Sequence, residues 1–162
     1  MAWRIGILAL AVLTSGCGGS SDSPTAPTPT VTLTDGNYQL AVYSSTLSCL
    51  MVTYSNGATP TSAVQVPVWV DQDGDHWLVN ARDDASGSIA ITLARNGPGV
   101  SGMASGTLTS PGVSVTLSQH QLSGTANGAA EGVVGNVAGS VSYASAGGSA
   151  FCSTNLWSLT RQ

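Results

Sequence analysis

An all-β domain, a single antiparallel meander closing into a small β-barrel of eight or nine strands, is the fold class this chain predicts, and three observations predict it. Apolar and polar residues alternate at period two through most of residues 31–162, and no helical stripe survives more than a turn. Gly, Ser, Thr and Val dominate, lysine is absent and only 7% of the chain is charged, a composition suited to strands with one wet face rather than to helices. Cys49 and Cys152 lie near the start and the end of the meander, where closure would bring them to one end of a barrel. A β-sandwich of two open sheets is the rival architecture.

The strands follow in chain order. After the turn signal Asp35-Gly36, Tyr38, Leu40 and Val42 share one face of a first strand. Val64, Val66, Val68 and Val70 share a face of the next, with Pro67 required to sit at a bulge or an unpaired position because it has no amide donor. Its successor carries Trp77 and Val79. Asp73-Gly74 between them has the sequence of a two-residue type I′ turn, which sets Val70 opposite Trp77 and Val68 opposite Val79. In that register Trp77 faces inward and Trp69 faces outward, across from Leu78.

Ile89, Ile91 and Leu93 alternate in a fourth strand, and Asn96-Gly97-Pro98-Gly99 turns into a strand from Val100 to Thr109. Ser110-Pro111-Gly112 separates it from Val113, Val115 and Leu117, after which Leu122, Gly124 and Ala126 continue. The last two strands run from Val133 to Tyr143 and from Phe151 to Thr160, with Trp157 and Leu159 on one face. An apolar-small-Gly pattern recurs in Val100-Ser101-Gly102, Leu122-Ser123-Gly124 and Val137-Ala138-Gly139, and strand glycines permit the bending that closes a sheet.

The N-terminal residues carry an address. Arg4 precedes the apolar run Ile5 to Leu13, followed by Thr14, Ser15, Gly16 and Cys17, the layout of a signal peptide whose core is too short to span a bilayer as a helix. Ending at a cysteine, the segment resembles the lipobox of bacterial lipoproteins. The resemblance implies cleavage after residue 16 and lipidation of Cys17, the lipid anchor then holding the protein at the membrane of the bacterial cell envelope. Gly18, standing where that family often has an inner-membrane retention aspartate, implies the outer membrane. An ordinary cleaved signal peptide is the alternative. Residues 17–30, rich in Gly, Ser, Thr and Pro, are expected to form an extended, mobile tether, and residues 31–162 a single domain.

An even pair of cysteines in an exported chain makes a Cys49–Cys152 disulfide the default. Without Arg4 the chain has three arginines against eight acids, a formal charge of −5. Nucleic acid requires clustered Lys and Arg, so no nucleic-acid partner is expected.

Motifs with chemistry are few. Asp71-Gln72-Asp73-Gly74-Asp75 matches the opening of a calcium loop but puts His76 where glycine is required and Arg82 where the bidentate glutamate belongs, so a solvated hairpin tip is expected and no metal site. Gly97 to Gly102 satisfies a three-glycine dinucleotide pattern with no helix to follow it. His76 and His120 lack a nucleophile elbow or a paired acid, and Arg82-Asp83-Asp84 reads as a solvated turn. No catalytic residue and no cofactor is expected. Trp77 and Trp157 are expected in the core. Trp69, beside Leu78 on the outer face, is the candidate for ligand or partner binding.

By layout the domain resembles the eight-stranded barrels of the lipocalin and avidin type, and Gly36-Asn37-Tyr38 resembles their opening Gly-x-Trp. The resemblance implies a non-catalytic binding module, whose partner would be a small apolar molecule, a glycan or an envelope protein. A structural or surface-interaction lipoprotein without a small ligand is the alternative.

Overall fold

The computed structural model of the chain describes residues 28–44, 64–127, 131–145 and 148–162. Within them lie ten strands: β1 (Gly36–Ser44), β2 (Val64–Asp73), β3 (His76–Ala81), β4 (Ala90–Asn96), β5 (Gly99–Ser110), β6 (Val113–Ala126), β7 (Gly132–Val137), β8 (Val141–Ser145), β9 (Gly148–Cys152) and β10 (Asn155–Arg161). Consecutive antiparallel pairings run from β1 to β7, β7 pairs with β10, and β10 returns to β1 through seven residue pairs from Tyr38↔Arg161 to Ser44↔Asn155. The ring of eight strands is therefore closed, and the sandwich alternative is excluded. The remaining hairpin, β8 and β9, extends the wall beside the start of β6.

Alternation produces this ring because a barrel has one dry face. In β2 the four valines are buried while Gln65, Pro67, Trp69 and Asp71 are exposed. The same alternation buries Tyr38, Leu40 and Val42 in β1, Trp77 and Val79 in β3, Ile91 and Leu93 in β4, and Trp157 and Leu159 in β10. These side chains form one cluster filling the interior. Each such Val, Leu or aromatic side chain contributes about 1.5–3 kcal/mol by leaving water. Pro67 sits just beyond the last β2–β3 pair, Val68↔Ala81, and its carbonyl accepts the Arg82 amide. In an antiparallel strand its nitrogen faces the same side, where the ladder has ended and no donor is needed.

Turn chemistry differs from expectation at the β2–β3 hairpin. The observed pairs are Val70↔Val79 and Asp73↔His76, so Gly74-Asp75 forms the tip and the register is shifted by two from the one expected with Asp73-Gly74. Gly74 has φ 60° and Asp75 does not have a positive φ, which is the pattern of a type II′ turn with glycine first, not of type I′. A two-residue shift keeps every side chain on its face, so Trp77 still points inward. The outward pairs do change: Trp69 stands opposite Asn80 and Leu78 opposite Asp71.

Strand β6 explains a parity jump visible in its residues. Val113, Val115 and Leu117 face inward, then Leu122 does so after an odd step of five residues, because a bulge lies where the β5 register shifts between Ala104 and Gly106. Gln119 in the bulge has φ 55°, a left-handed conformation unusual for a residue other than glycine. Its amide donates to Ser105 Oγ, and the Ser118 amide donates to His120 Nδ1. With Nδ1 accepting, the His120 Nε2 proton points to the Ser140 carbonyl 2.8 Å away, tying the bulge to the turn after β7. His120 is therefore a structural pin rather than a merely solvated side chain.

The C-terminal region departs most from the sequence reading. Instead of two long strands it forms four, β7 to β10, and Gly139 lies at φ 83° in the β7–β8 turn, not within a strand. Asn155 holds these turns together: its buried amide donates to the carbonyls of Cys152 and Gly139 and its oxygen accepts from the Tyr143 hydroxyl. Burial pushes the Tyr143 pKa upward. Between neighbouring strands, glycines permit contact that no side chain would allow. A Cβ on Gly102 would lie 2.0 Å from the Thr92 carbonyl oxygen, and one on Gly135 would lie 1.8 Å from that of Ser123.

Asn155→Ala removes the acceptor of the Tyr143 hydroxyl and a donor to each of two carbonyls, so chemical unfolding should show a loss of about 1–3 kcal/mol. Gly135→Ala forces the β6–β7 seam apart, and its loss in the same measurement should be at least as large, about 1–3 kcal/mol or more.

Candidate functional site

The barrel end that holds the β2–β3, β4–β5 and β6–β7 turns is crossed by residues 28–35, an extended strap outside the sheet. Alternation in Val31-Thr32-Leu33-Thr34 sends Val31 and Leu33 into the barrel end, where they are 0% and 1% exposed, and leaves the threonines outside. The barrel grips the strap's backbone as well. Val31 N–H donates to the Pro98 carbonyl at 3.2 Å, Arg95 Nη1 donates to the Val31 carbonyl at 3.2 Å, and the Trp77 indole N–H donates to the Leu33 carbonyl at 3.0 Å. Arg95 also lies over the Trp77 ring, 5.3 Å from its centroid.

Glu131, just before β7, latches the strap from the other side. Its Oε1 accepts from the Thr34 amide (3.0 Å), the Thr34 hydroxyl (2.6 Å) and the Tyr38 hydroxyl (2.9 Å). Arg161 Nη1 reaches both Glu131 oxygens and also donates to Thr34 Oγ1. The Thr34 hydrogen bonds, aided by Tyr38 and Arg161, hold the Glu131 carboxyl below its ordinary value. Burial pushes Tyr38 up, and Glu131 pushes Arg161 up. Because this latch is largely solvated, the insertion of Val31 and Leu33 holds the strap more than the ion pair does.

A second feature lies on the outer wall. Trp69 and Leu78 are 41% and 40% exposed, as the alternation predicts, and Trp77 and Trp157 are buried. Met103, 47% exposed, joins them: Leu78 faces Thr92 on β4, and Thr92 faces Met103 on β5, so the three apolar side chains spread over four adjacent strands. The Trp69 indole N–H donates to Asp71 Oδ1 at 2.7 Å, which steadies the ring on the wall. Arg82, Asp83 and Asp84 lie on the exposed rim, where Asp83 caps the short 3-10 turn Asp84–Ser86 by accepting the Ser86 amide.

The Asp71–Asp75 tip is exposed, with Asp71 engaged by Trp69 and the Gln72 amide taken by Asp35. Among the described residues no group of three or more His, Cys, Asp or Glu side chains is placed to hold a metal ion. His76 sits at this tip and His120 at the bulge, on different elements, and the His120 ring is engaged by the Ser118 amide and the Ser140 carbonyl rather than by a carboxylate or a hydroxyl. Cys152 is fully buried at the end of β9. Cys17 and Cys49, like residues 1–16, lie outside the described residues.

Sequence reasoning found Trp69 and Leu78 but missed Met103 and the strap. Met103 carried a signal, since it is a long apolar residue between Ser101 and Ser105 on the polar parity of β5. The strap carried one too, in the Val31-x-Leu33 alternation. The Glu131–Arg161–Tyr38–Thr34 cluster left none, because Thr34 and Tyr38 lie 93 to 127 residues from Glu131 and Arg161 and meet them only after closure. No family model, curated protein or solved structure matches the chain.

Trp69→Ala should change unfolding stability by no more than about 0.5 kcal/mol, as expected for a wall residue, whereas Trp77→Ala should cost about 3–5 kcal/mol. A carboxyl whose folded pKa is depressed contributes stability above its ordinary value and loses it as pH falls through the lowered one. The exchange protection of the Thr34 amide, taken relative to the intrinsic rate at each pH, should therefore fall in the native chain as the solution is acidified below the ordinary glutamate range. Glu131→Gln should show fast exchange at Thr34 already at neutral pH and little further acid dependence.

Proposed function

We propose that this is an exported protein of the bacterial cell envelope, anchored by lipid on Cys17, whose barrel is a non-catalytic binding module working through its outer wall. The single observation that carries the wall reading is a contrast in burial. The interior is occupied by the protein's own side chains, with Val31 and Leu33 filling the strap end, while Trp69, Leu78 and Met103 stay exposed together on one side. An envelope protein or a glycan suits such a wall better than a small apolar molecule, because a pleated surface offers area for stacking but no enclosure. The filled interior also favours a second reading, a structural lipoprotein that occupies the envelope surface and binds nothing small.

The lipid anchor rests on the sequence from Arg4 to Cys17. A Cys49–Cys152 disulfide is part of the same proposal. Ser44, the last residue of β1, pairs with Asn155, and its hydroxyl donates to the Thr154 carbonyl at 3.0 Å. The chain thus leaves β1 beside the turn that holds Cys152. Cys49 follows five residues later, within an extended reach of about 17 Å.

Metabolic labelling with a fatty acid should mark the native chain and not Cys17→Ser, and the variant should leave the membrane fraction. Mass measurement after alkylation without reductant should find Cys49 and Cys152 unmodified, and Cys152→Ser should cost about 2–5 kcal/mol. For the wall, a photoreactive residue at Thr92 of the full chain in envelope preparations should give a discrete adduct that is lost in Trp69→Ala. An adduct indifferent to Trp69, or none, would leave the structural reading in its place.

A further inference from the structure

We propose that the strap end of the barrel is a site for an extended peptide of the pattern apolar-x-apolar-Thr, and that the strap of a second copy of this chain fills it in exchange. The site is built rather than incidental. It reads the peptide by two apolar sockets, which take Val31 and Leu33, and by its main chain, through Pro98, Arg95 and Trp77. Glu131 then fixes the following residue by both its amide and its hydroxyl. None of these interactions depends on which chain supplies the strap.

Two features make the strap separable from its own barrel. It forms no part of the sheet, so its withdrawal breaks no strand pairing. It joins β1 through Asp35-Gly36, where Gly36 has φ 147°, a conformation open to glycine and closed to most residues, so the joint has a hinge of high conformational freedom. After exchange each strap finds in the other barrel the same sockets and hydrogen-bond partners that it left in its own, which makes exchange a low-cost route to a symmetric pair. Copies tethered to one surface would raise the effective concentration that drives it. Two barrels would then meet with their strap ends facing.

The test uses the full chain in detergent micelles. A version with a photoreactive benzophenone residue at Thr30, next to the Val31 amide that meets Pro98, is mixed with an equal amount of isotopically heavy native chain, incubated at high concentration and illuminated. Exchange predicts adducts joining the light Thr30 position to a heavy peptide containing Pro98, growing with protein concentration and lost in a light chain that also carries Val31→Asp and Leu33→Asp. Adducts confined to light chains at every concentration would overturn the proposal, as would mixed adducts indifferent to the two substitutions. If the doubly substituted chain loses its β-sheet circular dichroism, Leu33→Ala replaces it with the same expected loss. Because Trp69 plays no part in the readout, this result is independent of the outer wall's role.

Discussion

Everything else in this molecule depends on the β1–β10 ladder. Its seven pairs close the ring, and without them β1 and β10 would be the exposed edges of a sheet, with backbone donors and acceptors open to other chains. Closure also turns alternation into a core. A flat sheet of these strands would bury its apolar face only against another layer, whereas the rolled one buries it against itself. Tyr38↔Arg161 at one end of the ladder sets the latch that receives the strap, and Ser44↔Asn155 at the other brings the end of β1 beside the buried Cys152.

Rolling the sheet imposes local demands that a few residues meet. Gly102 and Gly135 allow neighbouring backbones to approach where any Cβ would collide with a carbonyl oxygen. The bulge at Gln119 adds one residue to β6, so that its apolar face stays inward on both sides of a bend, and it marks where the partner of β6 changes from β7 to β8. Buried polar groups at the turns are satisfied in pairs or threes, as at Asn155, because an unmet donor in a dry interior costs more than the bond returns. A chain almost devoid of charge can rely on such neutral hydrogen bonding, and its Ser, Thr and Asn side chains then hydrate the outer wall.

Against that polar wall the two unusual features stand out for opposite reasons. The Trp69, Leu78 and Met103 group leaves apolar area in water. The strap does the reverse and draws its apolar residues from a segment that begins in a Pro- and Thr-rich stretch. One offers a surface to something outside the chain, and the other completes the chain's own interior. The binding reading rests on the first, and the exchange of straps on the second.

The alternation in β1, β2 and β3 was legible because period two is a local property of the chain, and it correctly assigned Trp69 and Leu78 to the wall and Trp77 to the core. Antiparallel hairpins were equally legible from Gly-Pro and Pro-Gly turns, since those residues act within four positions. The tip of the β2–β3 hairpin was not, because Asp73-Gly74 and Gly74-Asp75 keep the same faces and only the neighbouring ladder with β1 and β4 selects between them. Nor were the four short strands after Gly132: continuous alternation hid the turn at Gly139, which Asn155 and His120 hold from other parts of the chain. The amino-acid sequence by itself thus determined which side of each strand is dry and where the chain can reverse. Only the tertiary structure decided the partners, the final register, the bulge and the latch on the strap, for these join residues whose separation along the chain gives no local signal until the ring has closed.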